Sequence, residues 1–322
     1  MKRTGVLLIV AAVAVVAGCS REKPATEGPA AAPRLRFAVI PKALDIPVFN
    51  YARIGAERAA KELGNVDIEW RAPDTADQLR QKEILESFIT QRVDGIAIST
   101  LNGDFLTETI NRAMDAGIPV VTWDSDAPKS RRIAYYGVDD YDGGRILGEE
   151  AIKLLNGKGT VAMITAIGAT NLQRRLEGAK DALAKAPGIK IVEVYDIKED
   201  VVRAAEIIQT GSRRYPDLGA WVSVGGWPVF TRNALATLDP AKTKMVCFDT
   251  VESALDLLRE GKVQVLVGQK YFGWGSEPVK MLHGIKNGRM PPNPIVYSGV
   301  DIVTKENVEQ YAAEFKKLEK GE

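Results

Sequence analysis

The chain has 322 residues, too many for one average domain and enough to bury a sizeable core. Its apolar share of 45% and charged share of 26% are those of an ordinary globular protein. A formal charge of +1 gives no electrostatic basis for binding nucleic acid or an anionic membrane surface.

At the start, Lys2 and Arg3 precede an apolar run from Val6 to Ala17 that leads into Val16-Ala17-Gly18-Cys19. A basic head, a short apolar stretch and small residues before a cut describe a secretory leader. The run is shorter than the roughly 18 to 20 residues of a bilayer-spanning helix. The four closing residues resemble a bacterial lipobox, which implies a signal peptide over 1–18 and lipidation of Cys19. An ordinary leader with an incidental cysteine is the alternative. Ser20 to Pro33, rich in Pro, Ala, Glu and Gly, reads as a disordered linker, so 19–34 is expected to be anchor and tether. With Cys19 lipidated, Cys247 stands alone and no intramolecular disulfide is expected. The single His283 excludes a metal site with two histidine ligands and reads as structural.

From Leu35 onward, short β-rich runs alternate with stretches whose apolar residues recur every three or four positions. Strands are expected over Leu35–Ile40, Val66–Trp70, Gly95–Ser99 and Pro119–Trp123, with helices over Phe49–Leu63, Asp77–Gln91 and Phe105–Ala116 between them. The same rhythm continues with strands at Thr160–Thr165, Ile189–Tyr195, Ala220–Val224, Lys244–Phe248 and Gln264–Val267. Helices over Leu172–Ala186, Val201–Arg214 and Ala254–Glu260 separate these. Alternation of this kind builds parallel sheets by right-handed crossovers, with helices on both faces. The halves echo one another: Val120-Val121-Thr122-Trp123-Asp124 parallels Lys244-Met245-Val246-Cys247-Phe248-Asp249. The expected fold class is α/β, two doubly wound parallel-sheet lobes. The first half is one strand short, so the chain is expected to cross between lobes more than once. Lys305 to Glu322 reads as a charged, solvated surface helix.

In open parallel sheets, ligands meet the loops at the carboxyl ends of the strands. Asp124 and Asp249 each stand there, directly after an aromatic residue. A carboxylate so placed can accept from two vicinal hydroxyls, at about 1.5–3 kcal/mol per charge-assisted bond. The competing reading makes each a helix N-cap. Phe49, Trp123, Trp227, Phe248 and Trp274 lie in other strand-end loops, where a ring either covers a sugar face or fills the core. Val224-Gly225-Gly226-Trp227-Pro228 lacks the third glycine of a dinucleotide loop, and Trp227 obstructs close approach of a pyrophosphate. No nucleophile elbow, Walker-type lysine or paired-histidine motif occurs. A catalytic carboxylate pair stays open, but a binding protein without cofactor or metal is the expectation.

From about Arg36 to Ile302 the chain resembles the ribose-binding, type I class of bacterial solute-binding proteins that serve ABC transporters. The resemblance is carried by Ile46-Pro47-Val48-Phe49, Ala116-Gly117-Ile118-Pro119-Val120-Val121 before Asp124, and Gly137-Val138-Asp139 with Gly143-Gly144. Arg175 with Gly178, Phe248-Asp249 and Gln269 extend it. It implies lobes over 35–138 plus 270–299 and 139–269 plus 300–322. The implied hinge has three crossings, near Val138–Asp139, Gln269–Lys270 and Ser298–Asp301. It makes Phe49, Ser99 and Asp124 the pocket of the first lobe. Gln173 or Arg175, Glu199, Trp227, Phe248 and Asp249 then line the second, with Gln269 at a hinge. The family pattern has asparagine where this chain has Ile46 and Trp227, phenylalanine at Val48, and an aromatic at Glu199. Those changes leave another pentose, a hexose, an inositol or another polyol fitting equally well, with an amino-bearing sugar or cyclitol a further option.

The resulting expectation is a monomeric, lipid-anchored solute-binding protein of the cell envelope, periplasmic or extracytoplasmic. It would close on a sugar or polyol and deliver it to an ABC transporter permease, touching the membrane only through its anchor. A sensory receptor presenting a sugar-like signal, or an exported carbohydrate-processing enzyme, is the alternative.

Overall fold

The computed structural model describes residues 34–321; the leader, Cys19 and the linker lie outside the described residues. The first half runs β1 (Leu35–Ile40), α1 (Val48–Leu63), β2 (Val66–Trp70), α2 (Gln78–Thr90), β3 (Gly95–Ile98), α3 (Gly103–Asp115), β4 (Val120–Trp123) and β5 (Ala134–Gly137). The second runs α4 (Asp140–Leu154), β6 (Lys158–Thr165), α5 (Thr170–Ala184), β7 (Gly188–Asp196), α6 (Val201–Arg214) and β8 (Ala220–Ser223). A 3-10 turn (Trp227–Val229), β9 (Lys244–Phe248), α7 (Glu252–Arg259) and β10 (Val265–Gly268) complete it. Then come α8 (Tyr271–Lys286), β11 (Ile295–Tyr297), β12 (Asp301–Val303) and α9 (Val308–Lys320).

Two six-stranded sheets result, ordered β11-β5-β4-β3-β1-β2 and β12-β10-β9-β8-β6-β7. Every neighbouring pair is parallel except β10 with β12. The chain passes from one sheet to the other three times, after Gly137, after Gly268 and after Tyr297. Strands β3, β4, β8 and β10 are buried along their whole length, which is why they read as unbroken apolar runs. Asp77, Asn102, Asp139 and Asp200 open α2, α3, α4 and α6 by accepting backbone N–H bonds in the first turn. Capping by Asn102 is also why α3 starts at Gly103, before the first apolar residue of its stripe.

Each sheet is braced by a helix pair in backbone contact. A Cβ on Gly275 of α8 would stand 1.8 Å from the Ala52 carbonyl oxygen of α1, and one on Gly55 2.0 Å from that of Phe272. In the second lobe a Cβ on Gly144 of α4 would lie 1.9 Å from the Arg175 carbonyl of α5, and one on Gly178 2.0 Å from that of Tyr141. Only hydrogen fits in these places.

Elements β5, α4, α8, β11 and β12 depart from the periodicity reading. The helix α8 carries Gly273, Gly275 and Pro278, which weaken a local helical signal although Gly275 is what lets it meet α1. His283 of α8 hydrogen-bonds Asn65 at 3.1 Å. The C-terminal helix is more than a solvated surface. Val308, Ala312 and Phe315 form a buried stripe at helical spacing, Phe315 packs edge-on to Tyr51 of α1, and Arg58 donates to the Leu318 and Glu319 carbonyls. The charges around that stripe hid it from a reading by composition.

Candidate functional site

Loops at the carboxyl ends of both sheets' strands meet around a cavity, where open parallel sheets take their ligands. From the first lobe come Lys42, Ile46, Val48, Phe49 and Asp124. The second supplies Asn171, Leu172, Arg175, Glu199, Gly225, Gly226, Trp227, Phe230 and Asp249, and Gln269 and Trp274 complete the wall.

The carboxylates are held, not free. Asp124 accepts from Ser99 Oγ at 2.6 Å and pairs with Lys42 Nζ at 3.4 Å. Asp249 accepts from Gln269 Nε2 at 2.8 Å and from the Tyr271 hydroxyl at 3.1 Å. Glu199 accepts from the Trp227 indole at 2.9 Å. All three residues have left-handed backbone, with φ of 57°, 77° and 62°, a conformation uncommon outside glycine. Neither aspartate is a helix cap: β5 follows Asp124, and α7 opens at Val251 without a side-chain bond.

Arg175 occupies the centre of the second lobe's wall, 2% exposed. Its Nε donates to Asp140 at 2.8 Å, its Nη2 to Gln269 Oε1 at 2.8 Å, and its guanidinium carbon lies 4.2 Å from the Phe248 ring centroid. A continuous chain of contacts therefore links Asp140, Arg175, Gln269 and Asp249, with Gln269 next to one of the three passages between the sheets.

Phe49, Asp124, Arg175, Glu199, Trp227, Asp249 and Gln269 are thus brought together at one cavity. Three other residues named from the sequence stand elsewhere. Gln173 is exposed and donates to Glu177 at 3.1 Å, because on a helix it faces away from Asn171 and Arg175, which are four residues apart. Ser99 lies behind Asp124, and Phe248 lies beneath Arg175. Trp123 packs edge-on behind Phe49 at 5.6 Å. Lys42, Asn171 and Phe230 are the residues that sequence reasoning missed. Position was the available signal for Lys42, just past the end of β1, where an open sheet meets its ligand.

Residues 37–290 match the family described as periplasmic binding protein domain. The chain belongs to this family. Its lobes and helices are those of a type I, ribose-binding-like member. The D-ribose/D-allose-binding protein of Pseudomonas aeruginosa is 27% identical over 323 residues, covering 94% of this chain and 99% of that protein. A solute-binding protein of an ABC transporter from Burkholderia graminis, solved in complex with D-arabinose, is 34% identical with a TM-score of 0.81, covering 87% of this chain and 98% of the other. A glucose-galactose binding protein from Geobacillus stearothermophilus is 31% identical with a TM-score of 0.80, covering 86% and 99%.

Electrostatics in this periplasmic binding protein follow from burial. Burial pushes the Asp140 carboxyl up to about 7, against the opposing pull of Arg175. Burial raises Glu199 and Asp249 as well, while Lys42 and Trp227 hold Glu199 back and Arg175 and Gln269 hold Asp249 back. An acid whose folded pKa exceeds its unfolded one takes up protons on folding. The ligand-free protein is therefore expected to gain stability as pH falls from about 7 to about 5. A ligand that donates to Glu199 and Asp249, which line the cavity as Asp140 does not, favours their charged forms, so its affinity should fall as pH falls and they take up protons. Thermal unfolding with and without ligand across the range checks both slopes; parallel slopes would show that the ligand does not meet these carboxylates.

Proposed function

We propose that the cavity binds one neutral monosaccharide or polyol, and that the lobes close around it by hinge motion. The pairing of donors with acceptors carries this reading. Lys42, donor only, stands 3.4 Å from Asp124, acceptor only, and Arg175 is joined to Asp249 through Gln269. A hydroxyl both donates and accepts, so it satisfies such a pair; an ammonium would face Lys42 and a carbonyl would leave the carboxylate unmatched. Phe49, Trp227 and Trp274 supply flat apolar walls for the C–H faces of a sugar ring.

On this reading the protein is the binding component of an ABC importer and hands its ligand to a permease. The leader and Cys19 support lipid anchoring outside the cytoplasm; on the same reading the protein works as a monomer, its lobes being 35–138 plus 270–299 and 139–269 plus 300–322. The chemistry of binding involves no turnover, so the ligand should be recovered unchanged. A thermal-shift screen over pentoses, hexoses, inositols, amino sugars and uronic acids tests the substrate class. A ligand at 100 times its Kd should add about 2.7 kcal/mol of stability, with neutral sugars ahead of charged ones. A response confined to a non-carbohydrate metabolite would rule the reading out.

A further inference from the structure

Both side-chain bonds to Asp249 fall on the same oxygen. Gln269 Nε2 and the Tyr271 hydroxyl donate to Oδ1, at 2.8 Å and 3.1 Å. Oδ2 is left beside Gly226 in the cavity wall, where a Cβ on that glycine would stand 2.6 Å from it. Tyr271 is itself held from behind. Its oxygen accepts from the Thr250 backbone N–H at 2.9 Å and lies 3.2 Å from Thr250 Oγ1, which in turn lies 2.7 Å from the Tyr311 hydroxyl on α9. The charge of Asp249 decides which atom donates at each step. A carboxylate only accepts, so Tyr271 points its single hydrogen there. Thr250 Oγ1 must then donate to Tyr271, and Tyr311 to Thr250. Hydroxyls all turned one way strengthen the last bond, because each bond accepted polarises the bond donated.

Helix α9 is fastened without the Tyr311 hydroxyl. Glu309 pairs with Arg259 at 2.8 Å, Val308, Ala312 and Phe315 are buried, and Arg58 holds the last carbonyls. Gly268 leaves room for the run of hydroxyls, since a Cβ there would lie 2.9 Å from the Tyr311 hydroxyl and 3.1 Å from Thr250 Oγ1. Burial raises the Asp249 carboxyl, Arg175, Gln269 and Tyr271 hold it down, and Asp124 across the cavity pushes it up again. We propose that Tyr311 is a positioning residue for the ligand site: acting through Thr250 and Tyr271, it holds Asp249 charged with Oδ2 turned into the cavity. A helix none of whose residues lines the cavity thereby sets the strength of an acceptor inside it. The inference rests on the sugar reading for the use of Oδ2, but not for the relay itself.

The test uses Tyr271→Phe, Tyr311→Phe and their double variant, with thermal unfolding of each to establish that it folds. Phenylalanine keeps both rings against Phe315. Against the best sugar from the screen, Tyr271→Phe should weaken binding about tenfold, the loss of a bond to a charged acceptor. Tyr311→Phe should weaken it about threefold, since it only polarises that bond. The double variant should be no weaker than Tyr271→Phe, because Tyr311 acts through that residue. Thr250→Val should also lose affinity, and Thr250→Ser, which keeps the hydroxyl, should recover most of that loss. In each weakened variant the affinity should begin to fall at a higher pH than in the wild type, a shift that loosened packing would not produce. Carbon-13 NMR titration of the Asp249 carboxyl in the ligand-free proteins provides an arm independent of any sugar: Tyr271→Phe and Tyr311→Phe should each raise its pKa. Sugar binding that Asp249→Asn weakens and Tyr311→Phe leaves unchanged would overturn the relay and spare the sugar reading. An Asp249 pKa equal in all forms would overturn the relay even if no sugar bound.

Discussion

Arg175→Met is expected to cost the fold about 3–5 kcal/mol, the scale for removing one member of a buried ion pair. That is a large share of the roughly 5–15 kcal/mol by which domains are stable. The guanidinium satisfies Asp140 and Gln269 at once and covers Phe248, and methionine replaces only the last contact. Asp140, whose carboxyl burial already lifts to about 7 beside Arg175, would then hold its charge only well above neutral pH and otherwise be forced to take up a proton in a nearly dry site. Adding Asp140→Asn should restore most of the loss, since an uncompensated charge is costlier than no pair at all. Arg175→Lys should restore little, because an ammonium cannot hold Asp140 and Gln269 in the geometry of a planar fork. Urea unfolding of the three variants checks the order. A cost under about 1 kcal/mol, the range of exposed pairs, would mean that the site is wetter than its burial implies.

Asp249→Asn should weaken sugar binding by roughly 2 kcal/mol, or about thirtyfold, while leaving unbound stability equal or higher. Asparagine tolerates the left-handed backbone that Asp249 adopts, and its oxygen still accepts from Gln269 and Tyr271. What disappears is the charge, which burial penalises in the free protein and ligand hydroxyls would reward in the complex. Calorimetric titration measures the first effect and thermal unfolding the second. Unchanged affinity would reduce Asp249 to an anchor for its two neighbours.

The alternation of strand and helix was legible because each crossover obeys local rules, apolar runs for buried strands and three-to-four spacing for helices. The parts that escaped are those made by tertiary contact. Gly273, Gly275 and Pro278 argue against a helix when taken alone, yet α8 exists because Gly275 lets it rest on the backbone of α1. Strand β11 is three residues long and pairs only with β5, over a hundred residues earlier. Asp124 and Asp249 were visible as carboxylates at strand ends, and Glu199 and Arg175 through resemblance. Lys42 was not, because a lysine in a loop ordinarily reads as solvated. Its place in the wall comes with a hydrogen bond to Asn171, 129 positions away. Helical phase could have settled Gln173 against Arg175 from the sequence, since only one of them shares a face with Asn171.

The placement of α8 and β11 also governs the order in which the chain can fold. The small-residue face of α1, with Ala52, Gly55 and Ala56, has no cover until α8 is made, and β5 stays an open edge until Ile295–Tyr297 arrive. The lobe that begins first is thus unable to finish until nearly the whole polypeptide is present. Long-range closure of this kind slows folding and keeps an early, unsealed state in existence. A fragment ending at Gly268 should lack a stable first lobe although it contains five of that lobe's six strands.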